Sequence, residues 1–203
     1  YASIAQSGGV SIVSTPNDAD LAELSGKLVN TGVFAGKKAE RESAKKAAGR
    51  AMAEAEEAKS SKDSMVLAAE ADKSESRAKT SAAAMDSSAP GAAAFGGMGM
   101  SESVSQSDIL DNYARDKEKA LESVKPEELP DEMQKMSETE RKSFMEKKVE
   151  ERKSIQTKID DLSKQRSNFL AEDSKKKGSG DQSFDGVVLK MLKEQGAKKG
   201  ISY

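Results

Sequence analysis

"SETERKSFMEKKVEERKSIQTKIDDLSKQRSNFLAEDSKKK", residues 137–177, decides the fold class. The stretch contains neither Gly nor Pro. It opens on Ser137-Glu138-Thr139-Glu140, a capping box in which a hydroxyl and a carboxylate each satisfy a backbone N–H left over at a helix start. Glu138 and Lys142, Asp160 and Lys164, and Glu172 and Lys176 stand four apart in the favourable order. Together these features predict one long helix over 138–177. Ile155, Ile159, Leu162 and Phe169 keep heptad spacing, so a narrow apolar stripe runs along its second half.

Toward the carboxyl terminus, "KKGSGDQ" ends that helix, and Ser183 is placed to cap another over about 184–195. Phe184, Val187, Val188, Met191 and Leu192 fall at i, i+3, i+4, i+7 and i+8, a clean amphipathic pattern. A loop this short predicts an antiparallel helical hairpin, with the small helix folded back on the Ile155/Leu162/Phe169 stripe. The alternative use of the same two apolar faces is docking. The nine residues Ile155, Ile159, Leu162, Phe169, Phe184, Val187, Val188, Met191 and Leu192 are therefore the candidate partner-docking set. Lys190, Lys193, Lys198 and Lys199 would also suit a membrane surface, which ranks behind a protein partner.

Toward the amino terminus, Ser107-Asp108 starts a helix expected over about 108–124, and Pro126 and Pro130 disfavour its continuation. "DSSAPGAAAFGGMGMSESVSQS", residues 86–107, is Gly/Ser/Ala-rich and reads as a disordered linker. Residues 37–85 are rich in Ala, Lys and Glu with few large apolar side chains, so a solvated polar helix or spacer is expected there. The first 36 residues differ. Ile4, Val10, Ile12 and Val13 alternate as a strand would. Thr15-Pro16-Asn17-Asp18 is a helix start, with Thr15 as cap and Asp18 as its reciprocal acid. Leu21, Leu24 and Leu28 then share a face, with Val29 beside them, until Asn30 and Gly32 end the helix. Val33-Phe34-Ala35-Gly36 is read as a short final strand. Nothing in the sequence marks a surface to cover this leucine face.

Composition narrows the functional classes. The 203 residues are 35% hydrophobic but only 4% aromatic, so helices with little large-residue core are expected rather than a pocketed globule. The 33 basic and 35 acidic residues alternate along presumed helices, whereas a nucleic-acid binder clusters its cations; nucleic acid is not an expected partner. Without His or Cys, the chain holds no Cys–His or Ser–His–Asp constellation and no zinc-type site. "FGGMGMS" lacks the G-K-[ST] ending of a phosphate loop. Asp181-Gln182-Ser183-Phe184-Asp185-Gly186 matches the first half of a calcium loop, but the twelfth position, which needs a bidentate acid, is Leu192. No catalytic, cofactor-binding or metal residue is assigned, and an enzyme ranks last. The chain starts at Tyr1 without a methionine, which points to a segment of something longer.

Two stretches carry a resemblance. "YASIAQSGGVSIVSTPNDADLAELSGKLVNTGVFAG" resembles the last strand, loop and helix of a bacterial von Willebrand factor type A domain. "ELPDEMQKMSETERKSFMEKKVEERKSIQTKIDDLSKQRSNFLAED", followed by "SFDGVVLKMLKEQGAKKGISY", is similar to the helical tail that follows the domain in a group of envelope-associated bacterial proteins. The resemblance implies that residues 1–36 close an α/β domain whose sheet precedes Tyr1, and that 108–203 form its tail. It implies that a divalent cation, Mg or Ca, is held by preceding residues, and none by this segment. It implies a periplasmic or cell-envelope location. The expected function is protein–protein interaction or tethering without catalysis, with a protein or the rest of the type A domain as partner. The alternative is a structural, self-associating helical subunit of a larger envelope assembly. The expected fold is mainly α: extended helices or a helical hairpin, with a short strand–helix remnant at the amino terminus.

Overall fold

The computed structural model describes residues 14–85 and 107–177. The fold is mainly helical. Its α-helices are α1 (Asp18–Asn30), α2 (Lys38–Ser60), α3 (Ser64–Met85), α4 (Leu110–Arg115), α5 (Lys117–Glu122), α6 (Asp131–Gln134) and α7 (Glu138–Lys177). A 3₁₀ turn spans Pro126–Glu128. The strand expected over residues 3–14, the linker over 86–107 and the helix over 184–195 lie outside the described residues, save for Ser14 and Ser107.

Helix α1 lies at the centre and packs on α2, α3 and α7. Its leucine face, expected to lack a partner, is covered from within the chain. Leu21, Leu28, Ala71, Ala78, Ile155 and Ile159 form one buried cluster, with Leu24 and Leu162 against it. Val29 faces the other way, toward Phe34, Ala44 and Ala48. A third cluster joins Val33 and Ala35 to Ile109, Leu110, Tyr113, Ala120, Leu129, Met133 and Met145. Each fully buried Leu or Ile contributes about 1.5–3 kcal/mol against the entropy of ordering the chain.

The segment expected to be a solvated polar helix or spacer, 37–85, is helical, but it forms two packed helices separated by Ser61–Asp63. Arg41, Ala44, Ala48, Ala55 and Ala58 line the buried face of α2. Ala buries little area, but it lets helices approach closely. A Cβ added at Gly26 of α1 would stand 3.4 Å from the Ala55 Cβ. The Ala periodicity therefore marks a close helix contact that a search for large apolar residues overlooks.

Long helix α7 runs over the range that its capping box and charge pairs predict. Ser137 N donates to Glu140 Oε2 at 2.7 Å, and Glu140 N donates weakly to Ser137 Oγ at 3.4 Å. Lys142 pairs with Glu138 at 2.8 Å, whereas Lys164 approaches Asp161 at 3.8 Å rather than Asp160. The Lys176 side chain, expected to pair with Glu172, lies outside those described. The helix expected over 108–124 is divided into α4 and α5. Asp116 takes an extended backbone (φ −146°, ψ 97°), and its carboxylate caps α5 by accepting from Lys119 N at 3.2 Å.

Val33–Gly36 does not form a strand. Phe34 and Asp108 make an isolated antiparallel bridge. Ala35 N donates to Ser107 O at 2.8 Å, and Ile109 N to Val33 O at 3.0 Å. Gly36 comes next with φ +119°, a region closed to most side chains, and its N–H donates to Glu128 O at 2.8 Å.

Candidate functional site

The residues that organise this fold are arginines. On α7, Arg152 and Arg166 stand about four turns, or roughly 21 Å, apart on the face that carries Ile155, Ile159 and Leu162. That distance matches the length of α1, and the two guanidiniums grip it at its ends.

At the amino-terminal end, Arg166 Nε donates to Asp18 Oδ1 at 2.8 Å and Nη1 to Asp72 Oδ1 of α3 at 2.8 Å; Glu75 stands 3.6 Å away. Asp18 is fully buried. Its carboxylate also accepts from Thr15 Oγ1 at 2.6 Å and Thr15 N at 2.9 Å. This is half of the expected capping box, reinforced by a cation from another helix. Asn17 Nδ2 donates weakly to Leu162 O and Gln165 Oε1, both at 3.4 Å. Burial lowers the Arg166 pKa, but Asp72 and Asp18 reverse the effect and leave it raised.

At the other end, Arg152 Nε donates to Thr31 Oγ1 at 2.7 Å, Nη2 to Asp108 Oδ2 at 2.6 Å and Nη1 to Asp111 Oδ1 at 2.6 Å. Asp108 Oδ1 accepts from Val33 N at 3.1 Å and Leu110 N at 3.0 Å, and Ser81 Oγ of α3 donates to Asp111 Oδ1 at 2.8 Å. One cation thus joins α1, α3, α4 and α7. Two carboxylates share it, each at 2.6 Å. Burial, resisted by Arg152 and assisted by Asp108, holds the Asp111 carboxyl above its usual range. Burial lowers the Arg152 pKa, and the two aspartates more than restore it.

Two further arginines act elsewhere in the bundle. Arg77 and Glu70 form a buried pair on α3 at 2.7 Å, and Ser25 of α1 donates to Glu70 Oε1 at 2.8 Å. Arg41 donates to Gly36 O at 2.9 Å, Glu127 O at 3.0 Å and Asp131 Oδ1 at 2.8 Å. Such pairs offset their own desolvation cost and little more, so their chief effect is on which helices meet and in what register.

The candidate docking residues divide sharply. Ile155 and Ile159 are buried and Leu162 is half-buried, all against α1 and α3, so they are core rather than docking surface. This part of the stripe is also unavailable for a fold-back helix, because α1 and α3 already fill it. Phe169 is 40% exposed, three residues beyond Arg166. Among the described residues, the other large exposed apolar side chains, Met65 and Val66, lie at the start of α3. Phe184, Val187, Val188, Met191 and Leu192 lie outside the described residues.

Arg152, Arg166, Asp108 and Asp111 are not among the residues that the sequence singled out. A signal for the two arginines was present: they occupy the heptad positions before Ile155 and after Leu162, where an exposed-face residue would not fall. Asp108 is marked only as part of the Ser107-Asp108 helix start, and Asp111 carries no mark. Among the described residues, no group of three or more acids is placed to hold a metal, and no helix is long and apolar enough to cross a membrane. Compared with protein-family models, curated proteins and solved structures, the chain matches none.

Proposed function

We propose that this chain is a non-enzymatic coupling element for protein–protein interaction: the helical tail of a von Willebrand factor type A binding protein of the bacterial envelope, which takes the helix after that domain's last strand into its own bundle. One observation carries the proposal. Helix α1 is enclosed by α2, α3 and α7, and Arg166 and Arg152 of α7 hold its two ends. Whatever precedes Thr15 enters the bundle through a segment in fixed register with a 40-residue helix. A tail that merely spaced or tethered would not need to bury that helix.

On this proposal the divalent cation and its ligands belong to residues ahead of Tyr1, and the described helices act by positioning. A partner meets the far end of α7, where Phe169 is exposed. The second reading, a self-associating helical subunit of an envelope assembly, draws on the exposed Met65 and Val66 at the start of α3.

The test is the intact mass and amino-terminal sequence of the protein from its natural source. A longer chain with a hydrophobic strand leading into D-x-S-x-S supports the coupling element. A natural amino terminus at Tyr1 overturns it. Light scattering of the purified protein separates the second reading, which requires an oligomer.

A further inference from the structure

We infer that residues 14–85 and 107–177 are two complementary halves of one non-covalent interface, so that the chain stays assembled when cut between Met85 and Ser107. The partner that the carboxyl-terminal half fits is the α1–α3 half, and the connection across 86–106 serves to keep the two together in space. This goes beyond the proposed function and does not depend on the type A resemblance.

The contacts between the halves are extensive and varied. Two of the three apolar clusters are shared between them. Ile155 and Ile159 from one half close over Leu21, Leu28, Ala71 and Ala78 from the other. Val33 and Ala35 enter the cluster of Leu110, Tyr113 and Met145. The backbone is paired across the same seam: Ala35 N to Ser107 O, Ile109 N to Val33 O, and Gly36 N to Glu128 O.

Charge is matched in both directions. Arg166 crosses to Asp18 and Asp72, and Arg41 crosses back to Asp131 and the Glu127 carbonyl. Arg152 reaches Thr31, and Ser81 reaches Asp111. Neither half alone satisfies these groups. Residues 14–85 would expose Leu21 and Leu28 and strand the Asp18 carboxylate without its cation. Residues 107–177 would leave Ile155 and Ile159 bare. A linker adds effective concentration to such an interface, of millimolar order, but no contact.

The Ser81–Asp111 hydrogen bond ties the last turns of α3 to the start of α4 across the same seam.

The test uses the full chain with a recognition sequence for a site-specific protease substituted within residues 90–98. After cleavage, the two pieces should co-elute and give a single native mass at about 10 µM, far below the effective concentration of the uncut chain. The far-UV dichroism should be unchanged, and the melting temperature should become concentration-dependent. Separation of the pieces at that concentration, or loss of helicity on cutting, overturns the inference. Arg166→Ala in the cut protein should weaken association by about tenfold or more, since it leaves Asp18 buried without its cation. Lys164→Ala, on the exposed side of α7, should leave association unchanged. Dichroism of the uncut Arg166→Ala chain checks that the variant folds. Equal dissociation constants for Arg166→Ala and Lys164→Ala would also overturn the inference.

Discussion

Replacing Arg152 with Met keeps most of the stem's volume and removes the charge, which isolates the electrostatic role of the clamp. Three donated hydrogen bonds disappear, to Thr31, Asp108 and Asp111. Removing one partner of a buried pair generally costs about 3–5 kcal/mol, because an uncompensated charge is left behind. Here the lower end applies. Asp108 keeps two backbone donors, Val33 N and Leu110 N, and Asp111 keeps Ser81 Oγ. The expected loss is therefore about 3 kcal/mol, or a fall in Tm of roughly 6–12 °C for a chain of this size. Natural domains hold about 5–15 kcal/mol, so the variant remains folded.

Urea unfolding followed by far-UV dichroism measures the loss directly, provided the m value matches the wild type. The decisive comparison is the triple variant Arg152→Met/Asp108→Asn/Asp111→Asn. If the cost is that of stranded carboxylates, neutralising them should recover most of the stability. A loss below about 1 kcal/mol for Arg152→Met would refute the reasoning, since that is the scale of an exposed pair. So would a triple variant no more stable than the single one.

Asp111 has a raised carboxyl pKa in the folded state, so the folded protein binds more protons than the unfolded chain in mild acid, and this group's contribution to stability falls as pH rises through its folded pKa. Asp111→Asn removes that term. Its stability relative to wild type should rise as pH climbs above the ordinary carboxylate range, measured by urea titration; a constant difference would count against the raised pKa. Ile159→Ala should cost about 2–5 kcal/mol as a core truncation, whereas Phe169→Ala should stay within about 0.5 kcal/mol; matching costs would mean that α7 is packed the same way at both places. Gly36→Ala should destabilise by about 1–3 kcal/mol, because φ is +119° and the new Cβ meets Glu40 Oε2 at 2.8 Å; a neutral result in thermal melts would contradict that backbone conformation.

How much could be read from the chain beforehand depends on the range of the interactions. Helices α1 and α7 were legible because their signals are local: a capping acid, leucines three and four apart, a Gly- and Pro-free run, charge pairs one turn apart. The break at Asp116 was not legible, because Asp–Lys–Glu–Lys suits a helix interior nearly as well as a cap. The Val33–Gly36 segment has strand composition, but a strand needs a neighbour, and here the only pairing among the described residues is one bridge to Asp108.

The candidate site divides along the same line. The heptad stripe Ile155–Ile159–Leu162 is visible in the sequence, and so is its interruption by Arg152 and Arg166. Whether such a stripe is core or docking surface depends on Leu21, Leu28, Ala71 and Ala78, all far away along the chain. The Ala face of α2 carries no distinguishing pattern of large side chains, and its contacts with Gly26 and Val29 of α1 and with Phe34 make it a packing surface. A buried Asp18, Asp108 or Glu70 has the same letters around it as a solvated one. The sequence by itself determined where most of the chain turns into helix, because caps, prolines and turn-to-turn pairs act within a few residues. Which helix covers α1, and which charges lose their water and must find each other, was decided by the tertiary structure alone, because desolvation is a property of the packed neighbourhood and not of the residue.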